Sequence, residues 1–135
     1  IAMGARPGVL RACVEGEPVG TRFPARPLGL HDYKLWLLYG KPAKGKVVVD
    51  AGAAKALKGK GSLLPVGVRA VEGEFAAGDA VVVVDEDGVE LAKGLMSYSS
   101  KELERVKGLH SSRVAEMLPQ ASPEAIHRDY LVRVC

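Results

Sequence analysis

The sequence lacks several features that define particular classes of protein. Within its 135 residues no apolar run approaches the roughly 18 residues of a membrane-spanning helix. The opening segment, IAMGARPGVL, has neither the apolar region nor the cleavage site of a signal peptide, so it predicts no secretion signal. The chain has no asparagine and a single glutamine, Gln120, a composition that a thermophilic source and a GC-rich coding bias explain equally well.

Cysteine and histidine are also scarce, and their spacing does not predict a metal site. Cys13 and Cys135 lie at opposite ends of the chain, which favours two free thiols in a reducing compartment over a disulfide. The three histidines, at positions 31, 110 and 127, share no ligand spacing with a cysteine or a carboxylate. The serines are better explained as helix caps than as nucleophiles. We therefore predict neither a metal centre nor a catalytic residue in this chain.

The composition that remains is that of a globular domain, with 47% hydrophobic and 26% charged residues. A net charge of +3 is too small to require a nucleic-acid partner, but the charges are unevenly distributed. Residues 41–60 contain six lysines and one acid, whereas residues 72–90 contain seven acids and no lysine or arginine. The first segment could face an anion and the second could not, although two solvated surfaces would explain the same pattern.

Turn residues divide the chain into short predicted elements. The predicted helices cover residues 6–16, 31–40 (with a buried strand as the alternative), 51–60, 99–108 and 111–118. The predicted strands cover residues 19–23, 46–50, 62–75 (bent by Pro65 and Gly67), 79–85, 89–99 and 126–134, with a loop at 23–30 and a hairpin turn at 86–88. This order predicts a mainly β, α+β fold in which short strands form a small closed or half-closed barrel.

The segment KGKGSLLPVGV, residues 58–68, is similar in composition to a phosphate-binding loop. A nucleotide loop, however, requires Ser or Thr after its Gly-Lys pair and opens a helix, whereas Gly59-Lys60 is followed by Gly61 and comes after a predicted helix. We therefore predict a turn between a helix and a strand. The sequence HRD at position 127 resembles a kinase catalytic loop by coincidence, because Val134 stands where that loop needs asparagine.

Basic residues near this turn are compatible with nucleic-acid binding. Lys55 and Lys58 lie on one face of the predicted helix, Lys60 lies in the turn, and Lys101 and Arg105 lie one turn apart on a later helix. Aromatic residues that could stack on bases are few, and Tyr98 is the one near this group in sequence. The pattern therefore favours contacts with a nucleic-acid backbone over base reading.

Residues 47–103 resemble a PUA domain, a small module that recurs in RNA-modifying enzymes. The matching residues are Asp50-Ala51-Gly52-Ala53, Gly61-Ser62-Leu63-Leu64, Gly67-Val68, Gly73, Phe75, Gly78-Asp79, Gly94 and Tyr98. The resemblance implies a pseudo-barrel of short strands with flanking helices. It also implies a candidate RNA-binding surface made of Lys55, Lys58, Lys60, Gly61, Ser62, Lys93, Lys101 and Arg105.

The flanking segments resemble the C-terminal part of proteins of the glutamate 5-kinase family. The residues that carry this resemblance are Gly20-Thr21-x-Phe23, Lys34-x-Trp36 and His127-Arg128-Asp129. This resemblance implies a cytoplasmic parent enzyme that uses ATP and Mg²⁺ to phosphorylate L-glutamate in the first step of proline biosynthesis. Residues 1–40 would be the end of an α/β amino-acid-kinase domain and a linker, 41–120 the PUA domain, and 121–135 a closing strand and tail. The chain does not begin with Met, and the family's catalytic residues would lie before Ile1.

Three hypotheses for the role of the chain remain open. The first is a non-catalytic module that tunes assembly into a homo-oligomer or the response to proline, in which residues 1–40 expose apolar faces that favour self-association. The second is an RNA-binding module that uses the candidate residues. The third is a stand-alone PUA protein whose flanks resemble the kinase by chance.

Overall fold

The computed structural model of the chain describes residues 1–25 and 32–134. Its strands are β1 (Ala43–Val49), β2 (Val68–Gly73), β3 (Ala80–Val84), β4 (Glu90–Leu95) and β5 (Leu131–Arg133). Its α-helices are α1 (Val9–Glu15), α2 (Asp32–Leu35), α3 (Ala51–Lys58), α4 (Ser100–Val106) and α5 (Ser111–Met117). A π-helical turn (Trp36–Gly40) continues α2, and two 3₁₀ turns (Pro65–Gly67 and Arg128–Tyr130) precede β2 and β5.

The five strands form one mixed sheet in the order β2-β1-β3-β4-β5. β1 runs parallel to β3 and antiparallel to β2, and the pairs β3–β4 and β4–β5 are antiparallel. β3 consists of Ala80 followed by four valines and is almost wholly buried, whereas β1 is buried only at Val47 and Val49 near its end. The predicted hairpin turn joins β3 to β4, with Gly88 in the left-handed region at φ +82°. The predicted α+β class is therefore confirmed.

A backbone pairing between Leu63 and Ile126 brings the two sides of the sheet together. The Leu63 N–H donates to the Ile126 carbonyl at 2.9 Å, and the Ile126 N–H donates back to the Leu63 carbonyl at 3.1 Å. Leu63 lies just before β2 and Ile126 lies before β5, so the pairing joins the segments that lead into the two edge strands. This contact half-closes the sheet, as the predicted half-closed barrel requires.

Local capping rules explain where α3 and α4 begin. Asp50 caps α3, because its carboxylate accepts the Ala53 N–H at 2.8 Å. Ser99 and Glu102 form the capping box of α4, in which the Ser99 N–H donates to Glu102 Oε2 at 2.8 Å. The Ser99 hydroxyl and this N–H hold the pKa of Glu102 below its usual value. Both helices bury leucine in the common core, Leu57 from α3 and Leu103 from α4.

The connecting segment α2 with its π-helical turn packs against the sheet, which confirms the preference for a helix there. Leu37 is fully buried beside Ala80 and Val132. The Lys93 ammonium donates to the Leu38 carbonyl at 2.9 Å, and the Lys41 ammonium donates to the Gly78 carbonyl at 2.6 Å. These contacts fix residues 32–41 to the strands.

The segment before this connection forms a small unit of its own. α1 ends at Gly16, and a single bridge between Ala2 and Gly20 takes the place of the strand predicted at 19–23. Large apolar side chains are exposed here, as predicted: Ile1, Met3, Leu10, Val14 and Phe23. The predictions for residues 26–30 of the loop, for His31 and for Cys135 fall outside the described residues. Within residues 1–25 and 32–134, no helix has the length and apolar character needed to cross a membrane.

Removing the Ile126 side chain should strongly destabilise the domain. Ile126 is 0% exposed, and its methyl groups fill the space that a side chain at Gly94 would occupy. We expect Ile126→Ala to lower the free energy of unfolding by about 2–5 kcal/mol, measured by urea denaturation. Val134→Ala, at a position 45% exposed, serves as the control and should cost under about 0.5 kcal/mol. Equal effects of the two changes would contradict the closure described above.

Candidate functional site

The glycine loop (residues 59–62) is built around an unusual helix cap. Gly59 ends α3, as predicted, but the residue in the left-handed region is Lys60, with φ +70°. The Lys60 N–H donates to the Leu57 carbonyl at 3.3 Å and the Gly61 N–H donates to the Ala56 carbonyl at 2.9 Å. This is the Schellman arrangement, in which the left-handed residue is usually glycine. Lysine therefore takes the left-handed position, whereas Gly61 is needed for close approach, because a Cβ there would lie 3.0 Å from the Ala56 carbonyl oxygen.

The cap explains why the loop does not cradle phosphate through its backbone. The N–H groups of residues 59, 60 and 61 all donate to carbonyls of α3, so none of them is left for an anion. The loop also follows the carbonyl end of the helix, which carries partial negative charge. Within the described part of the chain, no group of three or more His, Cys, Asp or Glu side chains could hold a metal ion. The backbone amides of residues 59–61 are therefore not available to a nucleotide phosphate.

Lys60 lies at a polar groove (the Lys60 groove) of about 390 Å³ between the glycine loop and the segment before β5. The Ser62 hydroxyl oxygen accepts the Arg128 N–H at 3.0 Å, so its own hydrogen is available to donate. The groove is lined by Lys60, Gly61, Ser62, Leu64, Glu124, His127 and Arg128. Sequence reasoning missed His127 and Arg128, because only the Leu63–Ile126 pairing brings them to the loop.

His127 has a defined local environment in this groove. Its Nδ1 accepts the Asp129 N–H at 3.2 Å, which caps the 3₁₀ turn before β5 and leaves the proton of the neutral ring on Nε2. That Nε2 lies 3.5 Å from a Glu124 carboxylate oxygen. The HRD segment therefore has a structural place in the fold, and its first two residues line one groove.

Lys55 and Lys58 line a different depression (the Lys55 cleft) of about 340 Å³. Its opposite wall is the hairpin turn with Asp85, Glu86 and Asp87. The lysine-rich and acid-rich segments of the sequence thus meet across this cleft, because β1 and β3 are neighbours in the sheet. Lys60 is not among the residues that line this cleft.

The remaining candidate residues are dispersed. Lys93 is 9% exposed and its ammonium binds the Leu38 carbonyl, on the face of the sheet opposite Ala92 and α3, so it does not join the candidate surface. Lys101 and Arg105 are exposed on α4, which packs against β2 and the Pro65–Gly67 turn. The candidates that the structure does bring together are Lys55 with Lys58, and Lys60 with Gly61 and Ser62.

The aromatic residues also differ from the expectation. Tyr98 is 1% exposed, and its hydroxyl donates to the Ser122 carbonyl, so its ring is not accessible to a base. Burial raises the pKa of the Tyr98 phenol and keeps it a donor. Instead, Trp36, Tyr33, Tyr130 and His127 form a row of partly exposed rings with successive centroid distances of 5.8, 5.9 and 6.0 Å. The row ends at the Lys60 groove, and its members are too far apart in sequence to be recognised as a group.

Comparison with known proteins gives a consistent result. Residues 45–118 match the family model of the PUA domain. Glutamate 5-kinase of Synechocystis sp. is 46% identical over 134 residues, covering 98% of this chain and 36% of that protein. Glutamate 5-kinase of Chromohalobacter salexigens is 48% identical over 136 residues, covering 99% and 36%. A crystal structure of a PUA domain from Aeropyrum pernix K1, in complex with tartrate, superposes on 62% of this chain and 41% of its own, with a TM-score of 0.48 and 29% identity.

The chain therefore spans 36% of the length of each of these two curated relatives. The identity extends through residues 1–44 and beyond residue 118, outside the segment that matches the PUA model.

Replacing Lys60 by glycine should stabilise the domain. Glycine adopts the left-handed region without the clash that a Cβ causes, and part of this gain is offset by the greater freedom of glycine in the unfolded chain. We expect Lys60→Gly to raise the free energy of unfolding by about 0.5–1 kcal/mol. Lys58→Gly, within the last turn of α3, is the matched control and should lower it by up to about 1 kcal/mol. Both values are measured by urea denaturation, and a loss of stability in Lys60→Gly would contradict the cap.

Proposed function

The chain belongs to the PUA domain family, and we propose that it serves as the PUA module of a glutamate 5-kinase. The observation that carries the proposal is the reach of the similarity: identity of 46% covers 98% of the chain, including the parts outside residues 45–118. A PUA domain from an unrelated protein would share the fold without the flanking segments. This argument favours the kinase context over a stand-alone PUA protein.

The enzyme of which this module would form part uses ATP and Mg²⁺ to phosphorylate the side-chain carboxylate of L-glutamate, in the cytoplasm, as the first step of proline biosynthesis. The module itself is non-catalytic. Its described residues include no metal-holding cluster, and the amides of residues 59–61 are occupied by the cap of α3. Nucleotide and glutamate then bind to residues outside this chain.

The role of the module is structural and regulatory. Its connecting segment is fixed to the sheet by buried Leu37 and by the Lys93 and Lys41 hydrogen bonds, which would hold the module in a defined position relative to what precedes it. The exposed apolar residues of the preceding unit, such as Leu10 and Val14, are surface that a larger enzyme or a second subunit would cover. Such a module is suited to tuning assembly into a homo-oligomer or the response to proline.

The test has two parts. The purified 135-residue chain should show no glutamate-dependent turnover of ATP, and any turnover above a heat-denatured control would contradict the non-catalytic assignment. Deleting residues 41–135 from the full enzyme should change its oligomeric state or its inhibition by proline, measured by light scattering and by initial rates. A truncated enzyme with unchanged assembly, activity and proline response would overturn the regulatory role.

Binding of RNA is the second candidate function, and the Lys60 groove is the observation that favours it. The groove combines Lys60, Ser62 and Arg128 with a row of exposed rings, and single-stranded nucleic acids bind where cations flank aromatic side chains. Because the backbone amides of residues 59–61 are occupied, side chains would make most of the contacts with phosphate.

An RNA titration tests this second function. Lys60→Glu should weaken binding of an RNA hairpin severalfold and reduce the slope of log K against log salt by about one for each phosphate ion pair that the change removes. Lys58→Glu should have a smaller effect, because Lys58 lines the other cleft. Arg113→Glu, an equal change of charge on α5, is the control and should leave affinity nearly unchanged. Absence of binding at low salt, or equal reductions of affinity in all three variants, would exclude this function.

A further inference from the structure

The Lys55 cleft places opposite charges on its two walls. Lys55 and Lys58 project from α3 on one side, and Asp85, Glu86 and Asp87 belong to the hairpin turn on the other. Three carboxylates therefore face two ammonium groups. Among the residues that the structure describes, no direct ion pair joins the two walls. The charges act on each other and on any approaching ion through the space of the cleft.

The acidic turn is held in place by its own hydrogen bonds. The Asp85 carboxylate accepts the Asp87 N–H at 3.1 Å and the Val89 N–H at 2.8 Å, and the Asp85 N–H donates to the Val89 carbonyl at 3.0 Å. Asp85 is thus part of the turn, whereas Glu86 and Asp87 are exposed and their side chains carry no structural hydrogen bond in the described part of the chain. Their charges can be removed without removing the interactions that form the turn.

A polyanion that approached Lys55 and Lys58 would also approach these two carboxylates. Charges within the Debye length of about 8 Å at physiological salt are only partly screened, so repulsion by the turn opposes attraction by the helix. We propose that Glu86 and Asp87 form an electrostatic barrier that lowers the affinity of the α3 lysines for RNA and other phosphate polymers. The barrier makes the hairpin turn a determinant of specificity against nucleic acids.

The barrier would affect the two basic regions of the module, the α3 lysines and Lys60, to different degrees. Lys60 lines its own groove, whose lining does not include the acidic turn, whereas Lys55 and Lys58 line the cleft that contains the turn. Only the helix lysines are therefore suppressed by the turn. The proposal shares with the second candidate function only the RNA that is used as a probe. It does not depend on whether the chain belongs to a kinase.

Affinity for a fluorescein-labelled RNA hairpin, measured by anisotropy at low salt, tests the barrier. The double variant Glu86→Gln/Asp87→Asn should bind about threefold to tenfold more tightly than the parent chain. The control is Glu17→Gln/Glu74→Gln, which changes net charge equally at two exposed carboxylates outside the cleft and should alter affinity less than about twofold, through long-range attraction alone. Circular dichroism verifies that each variant is folded.

A third variant separates the barrier from a general effect of charge. Adding Lys55→Ala and Lys58→Ala to Glu86→Gln/Asp87→Asn should abolish the gain, because the α3 lysines are its source. A gain that persists without these lysines overturns the proposal. An equal gain in the Glu17→Gln/Glu74→Gln control, or no gain or no detectable binding in folded Glu86→Gln/Asp87→Asn, overturns it as well.

Discussion

The reciprocal hydrogen bonds between Leu63 and Ile126 are the contact on which the candidate site depends. They join the segments that lead into β2 and β5, which lie at opposite edges of the sheet. The same pairing brings Ser62 to the Arg128 N–H and buries Ile126 against Gly94. Together with the Ala125 N–H bond to the Leu63 carbonyl, it joins the two sides of the Lys60 groove, which come from distant parts of the chain.

The glycine loop resembles a phosphate-binding loop in its residue composition but differs from one in its backbone hydrogen bonds. Its amides complete the C-terminal cap of α3, to which Arg133 from β5 also donates through its Nε at the Leu57 carbonyl. The loop is therefore a junction between the first helix of the domain and its last strand. What it offers to a ligand is the side chains of Lys60 and Ser62, in a position that the cap and the closing segment determine together.

Features that follow local rules could be predicted from the sequence, and features that depend on strand order could not. The Asp50 cap, the Ser99–Glu102 capping box and the Asp-Gly hairpin turn each depend on residues within four positions of one another. The meeting of Lys58 with the acidic turn depends on the parallel pairing of β1 with β3. The resemblance to PUA domains implied that Lys93 belongs to the candidate surface, whereas its ammonium binds a carbonyl of the distant connecting segment.

Amide hydrogen exchange at Leu63 and Ile126 tests the account most directly, because each N–H is a donor in the pairing that half-closes the sheet. Exchange of these two amides should be protected to the same degree as that of the central β1–β3 amides, since both would then open only with the whole domain. Exchange at the rate of an unstructured peptide, with the β1–β3 amides still protected, would contradict the closure and the site built on it.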